Sequence, residues 1–332
     1  MRVLITGGAG FIGSHLADVL VAQGNHVTVL DDFSTGRHEN IAHLEGHPLF
    51  NLVYADIGEE AIVRDCVAAA DRVFHLASAV GVRLIVEQPV RTIETIVHGT
   101  SVVMKACSRY RKPVLLTSTS EVYGKSTKVP FSEEDDLVIG PSYRRRWAYA
   151  CSKALDEFLA MAYWHHSRMP VVIVRLFNTV GPRQTGQYGM VLPRFVQQAL
   201  KDEPLTVYGD GSQTRCFCHV KDAVGALVRL MELPEARGEV FNVGSDEEVS
   251  IRELAERVIR ITGSQSSIKY IPFEEAYGAD FEDMQRRVAD LSKIRQAIGY
   301  KPRFSLDDII GDVADHYTRK SGKVPQRASS RG

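Results

Sequence analysis

Tyr149 and Lys153 are the residues whose types and spacing are best suited to chemistry. They lie four positions apart, so a helix would present the phenol and the ammonium on one face. A free phenol, with a pKa of about 10, is a poor base at neutral pH. We expect the Lys153 ammonium and a positively charged cofactor ring to lower the pKa of Tyr149. Tyr149 is then predicted to take a hydroxyl proton while a redox cofactor takes the hydride from the same carbon.

A glycine-rich turn near the N-terminus predicts where that cofactor binds. The apolar run Val3–Thr6 is typical of a strand, and the segment that follows it, 7–13, opens an apolar-periodic helix. Glycines in such a turn let backbone N–H groups approach a pyrophosphate, which also gains from the positive end of the helix. The predicted contacts in this turn are Gly7, Gly10, Phe11, Ile12 and Gly13.

A second predicted strand ends in two acids, Asp31 and Asp32, which we include in the cofactor site. Asp31 lies 18 residues beyond Gly13, close to the spacing of a carboxylate that binds the adenosine ribose hydroxyls. A carboxylate there repels the additional phosphate of NADP, so we predict NAD. Arg37 leaves the alternative open, because a nearby arginine can accommodate that phosphate.

Length, charge and cysteine content exclude several other classes of function. The chain has 332 residues, a formal net charge of −1 and five scattered cysteines. The small net charge argues against nucleic acid or an anionic membrane as the main partner, and no apolar run is as long as a membrane span. The cysteines form no C-x-x-C pair and no metal-ligand spacing. We therefore predict no metal site, reduced thiols and a cytoplasmic protein.

Alternating strand and helix patterns in the first half of the chain predict an α/β fold. Its mainly apolar strands indicate a Rossmann-type, doubly wound parallel sheet with helices on both faces. Shorter pieces, interrupted by glycine and proline, follow and predict a smaller C-terminal substrate-binding lobe. The predicted divisions are an NAD-binding domain at 1–178, a lobe mainly at 179–318, a segment 215–245 that rejoins the first domain, and a disordered tail at 319–332.

Three polar residues follow the predicted strand Pro113–Ser118, at the end of the sheet where α/β proteins bind ligands. Thr119 and Ser120 are expected to hydrogen-bond a sugar hydroxyl and the reacting oxygen. Glu121 adds a carboxylate that could serve as a second acid or base. The structural alternatives are that Thr119 and Ser120 form a turn and that Glu121 is an acid in the first turn of a helix.

Taken together, these motifs resemble those of the extended short-chain dehydrogenase/reductases, in the NAD-dependent nucleotide-sugar epimerase/dehydratase family. The resemblance covers about residues 1–318. It is carried by Thr6–Gly13, Asp56-Ile57, His75-Leu76-Ala77, Thr119–Gly124, Tyr149-x-x-x-Lys153, Arg175–Asn178 and Gly181-Pro182-Arg183.

The resemblance implies roles for further residues and a homodimer built from two helices per subunit. In the cofactor site, Asp56 and Ile57 would contact the adenine, Leu76 and Ala77 would lie on the nicotinamide side, and Lys153 would contact the nicotinamide ribose. In the site for a UDP-sugar, the implied contacts are Asn178 for the diphosphate, Val191, Arg194, Thr206 and Tyr208 for the uracil, and Arg215 and Arg287 for the phosphate and the sugar.

In this family, one oxidation at C4 of the sugar leads to decarboxylation, 4-epimerisation or 4,6-dehydration. The triplet Thr119–Glu121 resembles UDP-glucuronate decarboxylases (UDP-xylose synthases) and dehydratases, whereas epimerases need no acid there. Arg287–Asp290 resembles the decarboxylases' Arg-x-Pro-Asp segment, with Ala289 in place of proline, and Arg144–Trp147 also resembles a decarboxylase domain. Ile85 departs from the decarboxylase pattern, which has a tyrosine at that place.

We therefore predict an NAD-dependent UDP-glucuronate decarboxylase. A UDP-sugar 4-epimerase is the alternative, and a 4,6-dehydratase comes third. A protein that binds NAD without turnover belongs to a different class, and it would be expected to lack Tyr149 or Lys153. Both residues are present.

Overall fold

Strands and helices alternate along the chain in the structure, a computed structural model that describes residues 1–78, 88–185, 190–277 and 284–320. The strands are β1 (Arg2–Thr6), β2 (His26–Asp31), β3 (Phe50–Tyr54), β4 (Arg72–His75), β5 (Val114–Thr119), β6 (Val171–Leu176), β7 (Thr179–Val180), β8 (Leu205–Tyr208), β9 (Thr214–Cys216), β10 (Cys218–His219), β11 (Glu239–Val243), β12 (Glu248–Ser250), β13 (Ile268–Ile271) and β14 (Arg286–Arg287). The helices are α1 (Phe11–Ala22), α2 (Glu60–Ala69), α3 (Pro89–Tyr110), α4 (Ala148–Ser167), α5 (Val191–Ala199), α6 (Val220–Glu232), α7 (Ile251–Thr262), α8 (Phe273–Tyr277), α9 (Ser292–Ile298) and α10 (Leu306–Lys320).

One parallel sheet of seven strands forms the centre of the fold, in the order β11-β6-β5-β4-β1-β2-β3. The chain runs outward from β1 to β2 and β3, and then crosses to β4 on the other side of β1. The crevice between β1 and β4 is therefore the topological switch point, where sheets of this kind bind ligands. This arrangement confirms the predicted Rossmann-type fold.

Both faces of the sheet are covered, because successive residues of each strand point into two different apolar clusters. In β1, Val3 and Ile5 belong to a cluster that includes Leu16 of α1. Leu4, between them, belongs to the opposite cluster, which includes Val103 of α3. Burial on two sides explains why the strands are continuously apolar rather than alternating.

A smaller lobe surrounds its own apolar cluster, in which Phe195 of α5, Leu254 of α7 and Ile310 of α10 are fully buried. β11 lies beyond much of this lobe in sequence but pairs with β6 in the main sheet. Within the lobe, β14 pairs with β9 in parallel. The segment after β6 reaches this lobe, because the Asn178 side chain donates a hydrogen bond to the Cys216 carbonyl oxygen of β9 at 2.9 Å. The lobe thus adjoins the carboxyl end of the main sheet, where the substrate site was predicted.

Two boundaries differ from the sequence prediction. The apolar run Leu49–Ile57 predicts a third strand that extends to Ile57, but β3 ends at Tyr54, whose partner Asp31 is the last residue of β2. Arg319 and Lys320 were assigned to the tail, but they complete α10, and Lys320 forms an ion pair with Glu39 at 2.6 Å. The rest of the tail, 321–332, and Ile85 lie outside the described residues. No helix among the described residues is long and apolar enough to cross a membrane.

Candidate active site

A cavity of about 580 Å³ opens at the switch point and continues towards the smaller lobe. Its lining includes Gly7 after β1 and Ala77 after β4. Of the predicted site residues, Thr206 alone is not among those that line the cavity. The others are Gly7, Gly10, Phe11, Ile12, Gly13, Asp31, Asp32, Asp56, Ile57, Leu76, Ala77, Thr119, Ser120, Glu121, Tyr149, Lys153, Asn178, Val191, Arg194, Tyr208, Arg215 and Arg287.

The turn between β1 and α1 needs glycine at two positions for close packing. Gly7 has a φ of +70°, and a Cβ there would lie 2.7 Å from the Ala77 backbone. A Cβ on Gly13 would lie 2.2 Å from the carbonyl oxygen of Gly7. Without these side chains, the N-terminus of α1 reaches the cavity directly, and its free N–H groups and positive dipole suit a pyrophosphate.

Asp31 is fixed by the backbone at the end of β2. Its carboxylate accepts hydrogen bonds from the N–H groups of Ala9 and Phe33, both at 2.8 Å. Burial raises the pKa of Asp31, and these two hydrogen bonds oppose the rise. Arg37, which left NADP open, also lines the cavity and pairs with Glu39 at 3.3 Å. The carboxylate is thus oriented at the cavity edge, as a ribose-binding group requires.

The predicted adenine contacts, Asp56 and Ile57, lie in the segment that follows β3, which ends at Tyr54. The Asp56 carboxylate accepts a hydrogen bond from the Gly58 N–H at 2.6 Å, which fixes the turn into α2. Ile57 is buried, and a Cβ at Gly99 of α3 would lie 2.1 Å from its Cδ1. The Ile57 side chain therefore occupies the space that the absence of a side chain at Gly99 leaves, at one end of the cavity.

Tyr149 lies buried in the first turn of α4, and the surrounding protein disfavours its phenolate. Burial raises the pKa of Tyr149 above its usual range, and the Glu121 carboxylate raises it further, against a hydrogen bond with Thr119. Lys153 does face the cavity, but its ammonium donates a hydrogen bond to Asp156 at 2.9 Å. Lys153 and the nicotinamide ring together are expected from the sequence to lower the pKa of Tyr149, whereas without the cofactor the protein groups together raise it. They hold Tyr149 as a neutral phenol.

Glu121 is clamped between two guanidinium groups. Nη1 of Arg146 lies 2.5 Å from its Oε2, and Nη2 of Arg287 lies 2.6 Å from its Oε1. Burial raises the pKa of Glu121, but the charges of Arg146 and Arg287 outweigh burial and lower the pKa to about 2. Glu121 is thus an ionised carboxylate at neutral pH. It has no proton to give, so of the acid and base roles predicted for it only the role of base remains.

Arg146 is a site residue that the sequence analysis mentions only within the segment Arg144–Trp147 and does not assign to the site. The short 3₁₀ helix Arg145–Trp147 precedes α4 and buries Arg146 at the cavity while Arg145 stays exposed. The available signal was its position three residues before Tyr149, about one helical turn away. The three consecutive arginines obscured that signal, because a run of like charges is usually a solvated surface.

Thr119 and Ser120 follow β5 at the edge of the cavity. The Thr119 hydroxyl oxygen accepts a hydrogen bond from the Glu121 N–H at 3.2 Å and so caps the 3₁₀ helix Ser120–Tyr123. Ser120 is buried, and its Oγ has no hydrogen-bond partner among the described residues. A buried hydroxyl of this kind at a cavity wall is available to a ligand.

At the lobe end of the cavity, the register of β14 against β9 places Arg287 beside Arg215. Nη1 of Arg287 also lies 3.3 Å from the Asn178 side-chain oxygen. The Arg194 guanidinium lies 4.2 Å from the centre of the Tyr208 ring and donates a hydrogen bond to the Thr206 carbonyl oxygen at 3.0 Å. Thr206 thus supports Arg194 from behind instead of lining the cavity.

The assembled cavity defines a dinucleotide-binding enzyme with a Tyr/Lys dyad next to a cationic pocket. The family model for GDP-mannose 4,6-dehydratase matches residues 4–313. The chain belongs to this family, within the extended short-chain dehydrogenase/reductases, whose members named among its relatives are enzymes that modify nucleotide sugars.

Three relatives illustrate the range of the family. The chain is 42% identical to UDP-N-acetyl-alpha-D-glucosaminuronate decarboxylase of Bacillus cytotoxicus, over 92% of this chain and 94% of that protein. It is 38% identical to UDP-glucuronic acid decarboxylase 1 of Arabidopsis thaliana, over 92% of this chain and 67% of that protein. The crystal structure of UDP-glucuronic acid 4-epimerase from Bacillus cereus, in complex with UDP-glucuronic acid and NAD, superposes with a TM-score of 0.86 at 30% identity, covering 96% of this chain and all of that one.

Proposed function

We propose that the chain is an NAD-dependent UDP-uronate decarboxylase that acts by transient oxidation at C4 of the sugar. The observation that carries the proposal is the cluster of Arg146, Glu121 and Arg287 beside Tyr149. Among the described residues, this buried end of the cavity holds two guanidinium groups and one carboxylate, so these side chains carry more positive than negative charge. A sugar carboxylate complements that charge, whereas a neutral hexose does not. The two decarboxylases among the relatives support the same substrate class.

NAD fits the residues on the switch-point side of the cavity. The N-terminal turn of α1 would hold the pyrophosphate, Asp31 the adenosine ribose, Asp56 and Ile57 the adenine, and Lys153 the nicotinamide ribose. The close approach of Gly7 and Gly13 leaves room for this contact. Bound there, NAD supplies a reversible hydride acceptor for C4 of the sugar.

Tyr149 takes the proton of the C4 hydroxyl in this mechanism and returns it at the end. The positive charge of the nicotinamide ring opposes the effects of burial and of Glu121 on the Tyr149 pKa. The Ser120 hydroxyl, which has no other partner among the described residues, donates a hydrogen bond to the C4 oxygen. Both groups thereby stabilise negative charge on that oxygen.

The charge state of Glu121 favours decarboxylation over dehydration. A 4-ketone with a carboxylate on C5 loses CO2 as the C5–C6 electron pair moves towards the C4 oxygen, and this loss needs no protein acid. The resulting enolate then takes a proton at C5 from water before C4 is reduced again. Dehydration needs an acid that protonates the departing hydroxyl. Glu121, with a pKa of about 2, has no proton to give at neutral pH.

A UDP-glucuronate 4-epimerase is the second candidate, because the Bacillus cereus enzyme of that name shares the fold over nearly the whole chain. Arg146 and Arg287 would bind the same sugar carboxylate in either reaction. The two functions differ in the fate of that carboxylate, which the epimerase retains.

The proposed function predicts a product that is lighter than the substrate by one CO2. The purified protein would be incubated with NAD and either UDP-glucuronate or UDP-N-acetylglucosaminuronate, and the product mass measured. Unchanged mass with inversion at C4 would instead establish the epimerase, and loss of water the dehydratase. No conversion of either sugar would contradict the proposal.

We propose a homodimer formed through α3 and α4, which pack side by side. Four apolar side chains of these helices are exposed: Val90, Ile93, Leu155 and Phe158. The sequence of α4 offers an apolar face at Leu155, Phe158, Leu159 and Ala162, which could equally be core, but Phe158 is 69% exposed. An apolar patch that spans two helices is suited to burial against a second copy.

Phe158→Glu is expected to convert the dimer into a monomer, because a carboxylate in the apolar contact would be desolvated without a partner. Light scattering after gel filtration measures the molecular mass. Tyr270→Glu, at a 46% exposed aromatic in the other lobe, is the matched control and should remain dimeric. A wild-type protein that is monomeric at high concentration would contradict the proposed interface.

We also propose a cytoplasmic location. All five cysteines are free thiols. Burial raises the pKa of Cys107, Cys216 and Cys218, which makes these thiols unreactive and consistent with structural roles.

A further inference from the structure

Lys153 is held by a carboxylate that none of the roles above uses. Asp156, one turn further along α4, is buried and accepts a hydrogen bond from the Lys153 ammonium at 2.9 Å. The same carboxylate oxygen accepts a second hydrogen bond, from the Thr100 hydroxyl of α3, also at 2.9 Å. The catalytic helix is thereby connected to its neighbour through buried polar atoms.

The connection continues beneath the cofactor turn. Nε2 of His75, at the end of β4, lies 3.0 Å from the Thr100 hydroxyl, and its Nδ1 lies 2.7 Å from the Thr6 hydroxyl. Thr6 is the last residue of β1, and its hydroxyl oxygen also lies 3.4 Å from the Ala77 N–H. A chain of buried hydrogen bonds therefore runs from the Lys153 ammonium to the backbone that follows β4.

The proton positions in this chain follow from its two ends. The Asp156 carboxylate only accepts, so the Thr100 hydroxyl donates to it and must accept from Nε2–H of His75. Burial lowers the pKa of His75 to about 3, so the ring is neutral and its Nδ1 accepts from Thr6. Every hydrogen bond thus has one donor and one acceptor. Both threonine hydroxyls are required, because each of them donates one hydrogen bond and accepts another.

We propose that Asp156, Thr100 and His75 are positioning residues that fix the Lys153 ammonium and set how strongly its charge acts on Tyr149. Two carboxylates, Glu121 after β5 and Asp156 on the same helix, raise the pKa of Tyr149. Arg146 and Arg287 hold Glu121, and Lys153, one turn beyond Tyr149 on α4, holds Asp156. Asp156 opposes Lys153, and the Thr100 hydroxyl moderates Asp156. This inference rests on the proposed role of Tyr149 as the base, but not on the identity of the sugar.

Thr100→Val and Thr100→Ser form the test pair, because the first removes the hydroxyl at similar volume and the second keeps it. Without the Thr100 donor, Asp156 holds the ammonium more strongly, so the pKa of Tyr149 should rise by about half a pH unit, roughly a threefold change in proton affinity. Thr100→Ser should match wild type. The readout is tyrosinate absorbance of the NAD-loaded protein, minus that of the matching Tyr149→Phe variant, over the alkaline range in which circular dichroism stays native.

Asp156→Asn should shift the same titration in the opposite direction, because it removes a negative charge near Tyr149 and leaves Lys153 without its counter-ion. Shifts of opposite sign in Thr100→Val and Asp156→Asn support the proposal, since a purely structural role would not produce them. Equal Tyr149 titrations in Thr100→Val and Thr100→Ser would overturn it. So would shifts of the same sign in Thr100→Val and Asp156→Asn. If valine at position 100 prevents folding, Thr6→Val is compared with Thr6→Ser instead. Thr6→Val removes the hydroxyl at the other end of the hydrogen-bonded series, and an unchanged Tyr149 titration there overturns the proposal. The titration needs no turnover, so inactivity towards UDP-uronates would count against the proposed function alone.

Discussion

Tyr149→Phe is expected to lower kcat for the UDP-uronate by about 10³-fold, the usual contribution of a positioned acid–base group. The substitution removes only the hydroxyl, and the ring keeps its buried contact with Ile96. Affinities for NAD and for UDP should stay within about twofold of wild type, because neither the cofactor turn nor the nucleotide end is altered. Turnover is measured by product formation, and binding by calorimetry.

Tyr143→Phe provides the matched control, because Tyr143 is 76% exposed and lies just ahead of the same helix. It should leave kcat unchanged. If Tyr149→Phe retained activity near wild type, the assignment of the base would be wrong. If it lost NAD binding as well, the loss of turnover would reflect a damaged cofactor site rather than missing proton transfer.

Arg146→Met is expected to weaken UDP-glucuronate binding by about 100-fold, or roughly 3 kcal/mol, in line with breaking one partner of a buried charge cluster. Glu121 and Arg287 would then neutralise each other, and the site would hold one positive charge fewer for the sugar carboxylate. UDP lacks that carboxylate, so its affinity should change little. The measurement is a calorimetric titration of NAD-loaded protein with each ligand.

Arg145→Met is the control for this substitution, since Arg145 is the exposed neighbour in the same run and does not line the cavity. Both ligands should bind it as they bind wild type. An equal loss of UDP and UDP-glucuronate affinity in Arg146→Met would show that Arg146 acts on the nucleotide or on folding. It would then no longer support a uronate substrate.

The cofactor half of the site could be predicted because its determinants are contiguous in sequence. The β1 run, the glycines of the turn and the apolar face of α1 specify one strand–turn–helix unit, and Asp31 follows within the next strand. The switch point then follows from the short connections and right-handed crossovers of such units. The β3 boundary was wrong because an apolar run does not show where its neighbouring strand ends.

The substrate half was predictable only through family motifs. Arg215 and Arg287 lie 72 residues apart in the chain, and the parallel pairing of β9 with β14 places them side by side. Nothing in the local pattern of either strand indicates that pairing. Thr206 shows the limit of motif transfer, because its side chain bonds to Gln198 instead of facing the cavity.

The sequence by itself determined the fold class, the position of the cofactor turn and the identity of the Tyr149–Lys153 dyad, because these depend on spacing within single elements. Only the tertiary structure decided the charge state of the site. Glu121 is ionised because Arg146 and Arg287 arrive from two other segments, and Lys153 is restrained because Asp156 is tied to Thr100 across a helix interface. Periodicity shows which side of its own element a residue occupies. The groups that lie opposite, and therefore the pKa values, depend on how separate elements pack.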